Sequence, residues 1–243
     1  MFIIALAGVR VRIENKYTYI EKLARRYTVE GEAYDFSVSA TEEEITRDVA
    51  AGNNSRGYCE SFCLYRKICE QISAYGAFFL HSAVVEVDGR AYAFTARSGV
   101  GKSTHVSLWL KNIPGAQVLN GDKPLYRIEP DGGVTACATP WNGKENWGTP
   151  RNAPLAGICF IERGEENSIR RATPEEVLPR LFEQIYIKGE RSSVEQRLQL
   201  LDALLKQVPF YVLQCTVSDE AAGLAYATMS GTALEERKIE YEN

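Results

Sequence analysis

Apolar residues alternate in some stretches of the 243-residue chain and recur at helical spacing in others, so the pattern predicts a mixed α/β protein. Residues 2–13 read as one strand with a bend at Gly8. Within residues 17–27, Tyr19, Ile20, Leu23 and Tyr27 fall on one helical face, with Lys22, Arg25 and Arg26 on the other. Residues 34–40 alternate as a strand. Thr41 with Glu44 is a capping-box pattern that starts a helix. A polar loop, 52–57, precedes a longer helix over 58–75, which Gly76 stops. From residue 77 the pattern turns to β. Residues 78–87 and 90–95 flank Asp88-Gly89, a strong two-residue hairpin signal. A helix runs from 102 to Pro114-Gly115, and 116–119 is a short strand. Residues 125–129 and 134–139 form a second hairpin. The unbroken apolar run 155–161 predicts a strand buried on both faces. Residues 165–171 are charged and read as an exposed connection. Helices over 174–187 and 194–207, a strand over 208–217, a helix over 219–229 and a polar tail complete the chain. The expected division is a small α+β region, 1–76, and a larger domain, 77–243.

A hydrophobic fraction of 45% and a charged fraction of 25% fit a soluble globular chain with a substantial core. The net charge of −4 argues against general affinity for nucleic acid, so attraction for a polyanion must be local. The apolar start, 1–9, is short, lacks a basic leader and runs into Arg10-Val11-Arg12. It reads as a strand rather than an export signal or membrane span. A cytoplasmic protein with no membrane partner is expected. In that reducing compartment the six cysteines are expected as free thiols, and Cys59, Cys63 and Cys69 match no zinc-site spacing.

The densest chemistry lies in Ala96-Arg97-Ser98-Gly99-Val100-Gly101-Lys102-Ser103-Thr104. This fits a phosphate-binding loop with Ala at the usual first Gly, in the required order of strand, loop and helix. Glycines let backbone N–H groups converge on phosphate oxygens without Cβ clashes. Ser98, Gly99, Val100, Gly101, Lys102, Ser103 and Thr104 are the expected cradle. Lys102 supplies a cation for the outer phosphates, Ser103 a hydroxyl for Mg²⁺, and the helix its positive end. ATP with Mg²⁺ is the expected ligand pair.

The strand feeding this loop is one arm of an antiparallel hairpin. Ordinary P-loop enzymes use parallel βαβ units, so a separate nucleotide-binding architecture is expected. With Val87 opposite Arg90, counting back sets His81 opposite Ala96, beside the start of the loop. There an imidazolium can hold a phosphate, or an imidazole can orient a carboxylate. A right-handed crossover is expected to lay strand 116–119 parallel and next to strand 90–95, bringing Asp122 to the same end. Asp122 can bind Mg²⁺, directly or through water, or take a proton from a nucleophile. The loop 140–151 carries Trp141 and Trp147 among Gly, Asn and Pro, and reads as a flap with Lys144 or Arg151 as its cation for the site. His105 carries little weight, and Glu162 and Arg163, which end strand 155–161, read as a solvated strand end rather than as part of the site.

His81, the Asp88-Gly89 hairpin, the run Ser98-Gly99-Val100-Gly101-Lys102-Ser103 and Asp122 together resemble the catalytic domain of HPr kinase/phosphorylase, which shares its fold with phosphoenolpyruvate carboxykinase. The resemblance spans about residues 77–161. It implies an α/β P-loop core with a mixed sheet, ATP phosphates on the loop and Mg²⁺ held with the help of Ser103. It implies Asp122 as base towards an acceptor hydroxyl, with His81 beside it. The chain departs from the family in having Gly121-Asp122 where the family has paired acids, and residues 1–76 do not look like the family's N-terminal domain. The loop 141–147 looks more like that of stand-alone HPr-kinase-like proteins. The reading is therefore an ATP-dependent kinase whose acceptor is a hydroxyl of a protein Ser, a peptide or a small molecule. A non-catalytic ATP-binding sensor or partner-escort module is the alternative. A carboxykinase-like enzyme ranks third, for want of metal ligands and arginines. The sequence leaves open whether the chain forms a homo-oligomer.

Overall fold

The structure, a computed structural model, describes residues 1–97 and 99–234; Ser98 and the tail from 235 lie outside them. The chain opens with a hairpin, β1 (Phe2–Leu6) and β2 (Val9–Glu14), where one bent strand is expected from sequence. Ala7 and Gly8 both take positive φ, 50° and 77°, and so form the two-residue turn whose twist suits a hairpin. After α1 (Tyr19–Ala24), β3 (Phe36–Ser39) joins this small sheet parallel to β2. The helix α2 (Glu42–Gly52) starts on the expected capping box, with Thr41 and Glu44 satisfying each other's backbone amides. The longer α3 (Arg56–Gln71) continues as a 3-10 turn until Gly76, whose φ of 78° ends it.

The rest is a nine-stranded mixed sheet. The run expected as one strand, 78–87, is two: β4 (Ala77–Phe79) and β5 (Ala83–Val87). Between them the backbone is satisfied off the ladder. His81 donates its N–H to the Gln184 carbonyl, and the buried Ser82 hydroxyl donates to the Leu80 carbonyl. β5 turns at Asp88-Gly89 into β6 (Arg90–Thr95) in the expected register, Val87 opposite Arg90 and Ala83 opposite Phe94. The glycine loop follows, then α4 (Lys102–Asn112) and β7 (Gln117–Asn120). β7 does not lie next to β6. It runs in the same direction but pairs with β5, because the other edge of β6 is taken by a later strand.

That strand is central. After the hairpin β8 (Leu125–Ile128) and β9 (Val134–Cys137), the 12-residue β10 (Asn152–Arg163) pairs with β6 along one side. Its other side pairs with β9 at the start and later with the last strand. Ile158 and Phe160 pack on one face, Cys159 and Ile161 on the other, which explains its unbroken apolar sequence. The stretch expected as an exposed connection contains an edge strand, β11 (Ser168–Ala172), whose charged residues suit an edge. Then come α5 (Pro174–Phe182), α6 (Arg191–Gln207), β12 (Phe210–Cys215) and α7 (Asp219–Ser230).

Three buried clusters result. α5 and α6 cover one face of the large sheet, and α4 and α7 the other. The third cluster unites the small sheet with α1, α2 and α3, and continues into Leu125, Cys137 and Trp141. Residues 1–76 thus share a core with the following chain. The six cysteines are free thiols, and among the described residues no cluster of three or more His, Cys, Asp or Glu could hold a metal by itself. No described helix is long and apolar enough to cross a membrane.

His105, one turn into α4, packs edge-on against Phe94 of β6 and accepts a hydrogen bond from Trp109 Nε1 at 3.1 Å. Burial pushes its pKa down to about 4, below the ordinary 6.5. A lowered histidine pKa leaves stability intact above 6.5 and erodes it as pH falls towards 4. His105→Gln should remove this acid sensitivity. Thermal melts at pH 7 and pH 4.5 should show a smaller loss for the variant than for the natural chain, by up to about 3 kcal/mol.

Candidate active site

The loop between β6 and α4 opens into a cleft of about 900 Å³. Gly99 and Gly101 line it with φ of 79° and 126°, values that side-chain-bearing residues avoid. A Cβ added at either would meet nothing within 4 Å, so the open space lies directly over the backbone. No side chain caps α4 at Gly101, and Lys102, Ser103 and Thr104 of its first turn line the cleft. The first-turn amides of the helix and its positive end therefore face that space.

Three side chains converge there. His81 Nε2 lies 2.9 Å from Asp122 Oδ1, Lys102 Nζ lies 2.8 Å from His81 Nε2, and Lys102 Nζ lies 3.4 Å from Asp122 Oδ1. Lys123 donates to the other oxygen, Asp122 Oδ2. Gln184, just past α5, meets His81 Nδ1 at 3.1 Å and fixes the ring. Burial alone would raise the Asp122 pKa. The His81 hydrogen bond and the Lys123 and Lys102 ammoniums outweigh it and hold the carboxyl well below the usual range. Lys102 is lowered, chiefly by burial, with Asp122 opposing the shift.

Asp122 is placed by a residue that the sequence reading passed over. Asn120, fully buried at the end of β7, accepts the backbone N–H of Asp122 at 2.9 Å and of Lys123 at 2.8 Å. Its amide donates to the Thr139 carbonyl and to Asn142 Oδ1, tying the Asp122 turn to loop 140–151. This Asx-type turn was legible in Asn120-Gly121-Asp122 as a turn former. Its burial was not.

Loop 140–151 divides into parts with different work. Trp141 is core, its ring 4.4 Å from that of Tyr65. Asn142 to Asn146 edge the cleft, with Lys144 exposed on the rim. Arg151 is not brought to the site: it pairs with Glu86 and Gln117 at the β5–β7 edge, 2.7 and 2.6 Å away. Val100 packs against the apolar cluster under α4 and α7. Arg163, expected as a solvated strand end, donates to the Gly99 carbonyl at 2.6 Å and braces the glycine loop from behind.

The donor set suits a magnesium ion that arrives with phosphates. Mg²⁺ keeps waters and is bound through one or two carboxylates plus phosphate oxygens. Ser103 and Asp122 line the same cleft and would supply a hydroxyl and one carboxylate.

Asp122→Asn should leave two half-buried ammoniums without their counter-ion and cost about 2 kcal/mol in urea unfolding at pH 7. Because the Asp122 pKa is lowered, that difference should shrink as pH falls below 3.8. The same variant should bind tripolyphosphate more tightly, by about tenfold in calorimetry, because Lys102 and Lys123 no longer have an internal anion to hold.

No family model matches the chain, and no curated protein matches it in sequence. Among solved structures, the HPr(Ser) kinase/phosphatase from Coxiella burnetii is similar over 68% of this chain and 99% of that one, with 8% identity and a TM-score of 0.37.

Proposed function

We propose that the protein is an ATP-dependent phosphotransferase that moves the γ-phosphoryl group to an acceptor hydroxyl. One observation carries the reading: an ammonium, an imidazole and a single carboxylate lie within 3.4 Å of each other beside a glycine loop that opens into a cleft. Such a group binds a polyphosphate and handles one proton.

In this reading the loop amides and Lys102 hold the β- and γ-phosphates. Ser103 would hold Mg²⁺, with Asp122 reaching it through a bound water, and the ion would neutralise charge on the transferring group. The acceptor oxygen bonds to the γ-phosphorus while the bond from that phosphorus to the bridging oxygen breaks. ADP leaves, and the hydroxyl proton passes to Asp122. Asp122 is a poor base while both ammoniums sit on it. The phosphates draw those ammoniums away, so its basicity rises once the triphosphate is in place. His81 stays at Oδ1, held by Gln184, and keeps the carboxylate aimed. Lys144 on the rim meets the γ-phosphate from the loop side. A transition state that is largely dissociative needs this orientation and charge more than a strong base.

The test uses γ-labelled ATP. The natural chain should transfer label to an acceptor in a candidate extract. Lys102→Ala should lose nucleotide binding at least tenfold, and Asp122→Asn should keep binding while transfer falls a hundredfold or more. Full transfer by either variant rejects the assignment. Nucleotide binding with no transfer by the natural chain would make this a binding module instead.

A further inference from the structure

Part of the cleft wall comes from residues 1–76. Tyr19 and Leu23 of α1 and Tyr58, Ser61 and Phe62 of α3 line it. Tyr58 links the aromatic side chains into one surface, its ring 6.0 Å from Tyr19 and 4.8 Å from Phe62. Tyr19 and Tyr58 stay 39% and 36% exposed, and both line the cleft. Lys123, which holds Asp122, lies 5.2 Å from the Phe62 ring, so the aromatic surface ends at the proposed reacting group.

A second cavity of about 550 Å³ adjoins the first, sharing Leu23, Asn142 and Asn146. Lys22, Arg25 and Arg26 line it. Arg26 donates to the Gly148 carbonyl, but none of the three pairs with an acidic side chain among the described residues. Some exposed cations elsewhere on this surface pair with acids, as Lys111 does with Asp219 and Arg97 with Glu183. In a chain of net charge −4, an unneutralised basic cluster beside the site is a local attraction for negative charge.

We propose that residues 1–76 form the acceptor side of the site, and that the acceptor is an acidic peptide segment. Its Ser or Thr hydroxyl meets Asp122, a neighbouring apolar side chain lies on Tyr19, Tyr58 and Phe62, and acidic residues reach Lys22, Arg25 and Arg26. This rests on the phosphotransferase reading above and names its substrate class. A nucleotide with a small acceptor would fill the first cavity alone. The adjoining basic cavity gives room for a chain that runs on from the hydroxyl past Leu23 and Asn146. Transfer yields ADP and the peptide phosphomonoester.

Two fluorescent peptides test this, Ser-Phe-Gly-Asp-Asp-Glu and Ser-Phe-Gly-Lys-Lys-Lys, each with capped ends. Anisotropy with the full chain, without nucleotide, should show the acidic peptide binding about tenfold more tightly at low salt. The triple variant Lys22→Glu, Arg25→Glu, Arg26→Glu should reverse the preference and gain the lysine peptide, which a misfolded chain cannot do. With γ-labelled ATP the acidic peptide should be labelled on Ser. Equal binding of the two peptides, or an unchanged preference in the triple variant, overturns the inference even if label reaches another acceptor. Selective binding with no labelling overturns phosphoryl transfer to the bound peptide.

Discussion

A carboxylate shared between two ammoniums and an imidazole is the interaction on which this site depends. Asp122 keeps Lys102 beside the glycine loop, holds Lys123 against the aromatic wall and gives the His81 ring something to face. Such a group is costly to assemble in a half-buried place, because each charge gives up water. The surrounding fold repays this by fixing every partner. Gln184 holds the far side of His81, Asn120 holds the Asp122 backbone, and Lys102 is anchored in the first turn of α4. A triphosphate entering the cleft would compete for the same cations, which makes the internal carboxylate a stand-in for the ligand's charge.

The topology serves that convergence. The break between β4 and β5 frees His81 from the ladder and turns it towards the cleft, while Thr95 Oγ1 donates to its carbonyl at 2.9 Å and keeps it next to the loop. β7 reaches the same end of the sheet from the far side of β5, so Asp122 approaches from across the hairpin. α1 and α3 close another part of the cleft wall. Because Trp141 and Leu125 belong to their core, the N-terminal region is fastened to the loop that edges the cleft.

Much of this was legible from local patterns. The hairpin at Asp88-Gly89 sets its own register, and that register alone predicts His81 beside Ala96. The glycine loop announces itself through spacing, and the Thr41–Glu44 cap through two residues. What could not be read depends on long-range competition. β7 loses its place beside β6 to β10, a strand about 40 residues later. Arg151 is claimed by Glu86, and Trp141 by Tyr65, partners distant in sequence. Arg163 looks like a solvated end until the fold sets it against the Gly99 carbonyl. Ala7 gave no glycine signal for its half of the first turn, and a bend was the natural reading.

Gly121 has a consequence for how such a site can change. A Cβ built there would sit 2.5 Å from the Asn142 carbonyl oxygen and 3.4 Å from that of Trp147. The clash is with main chain, which no rotamer can relieve. A side chain at 121 is therefore incompatible with loop 142–147 in its present position. Any substitution that adds a side chain at 121 needs that distant loop rebuilt before it or together with it.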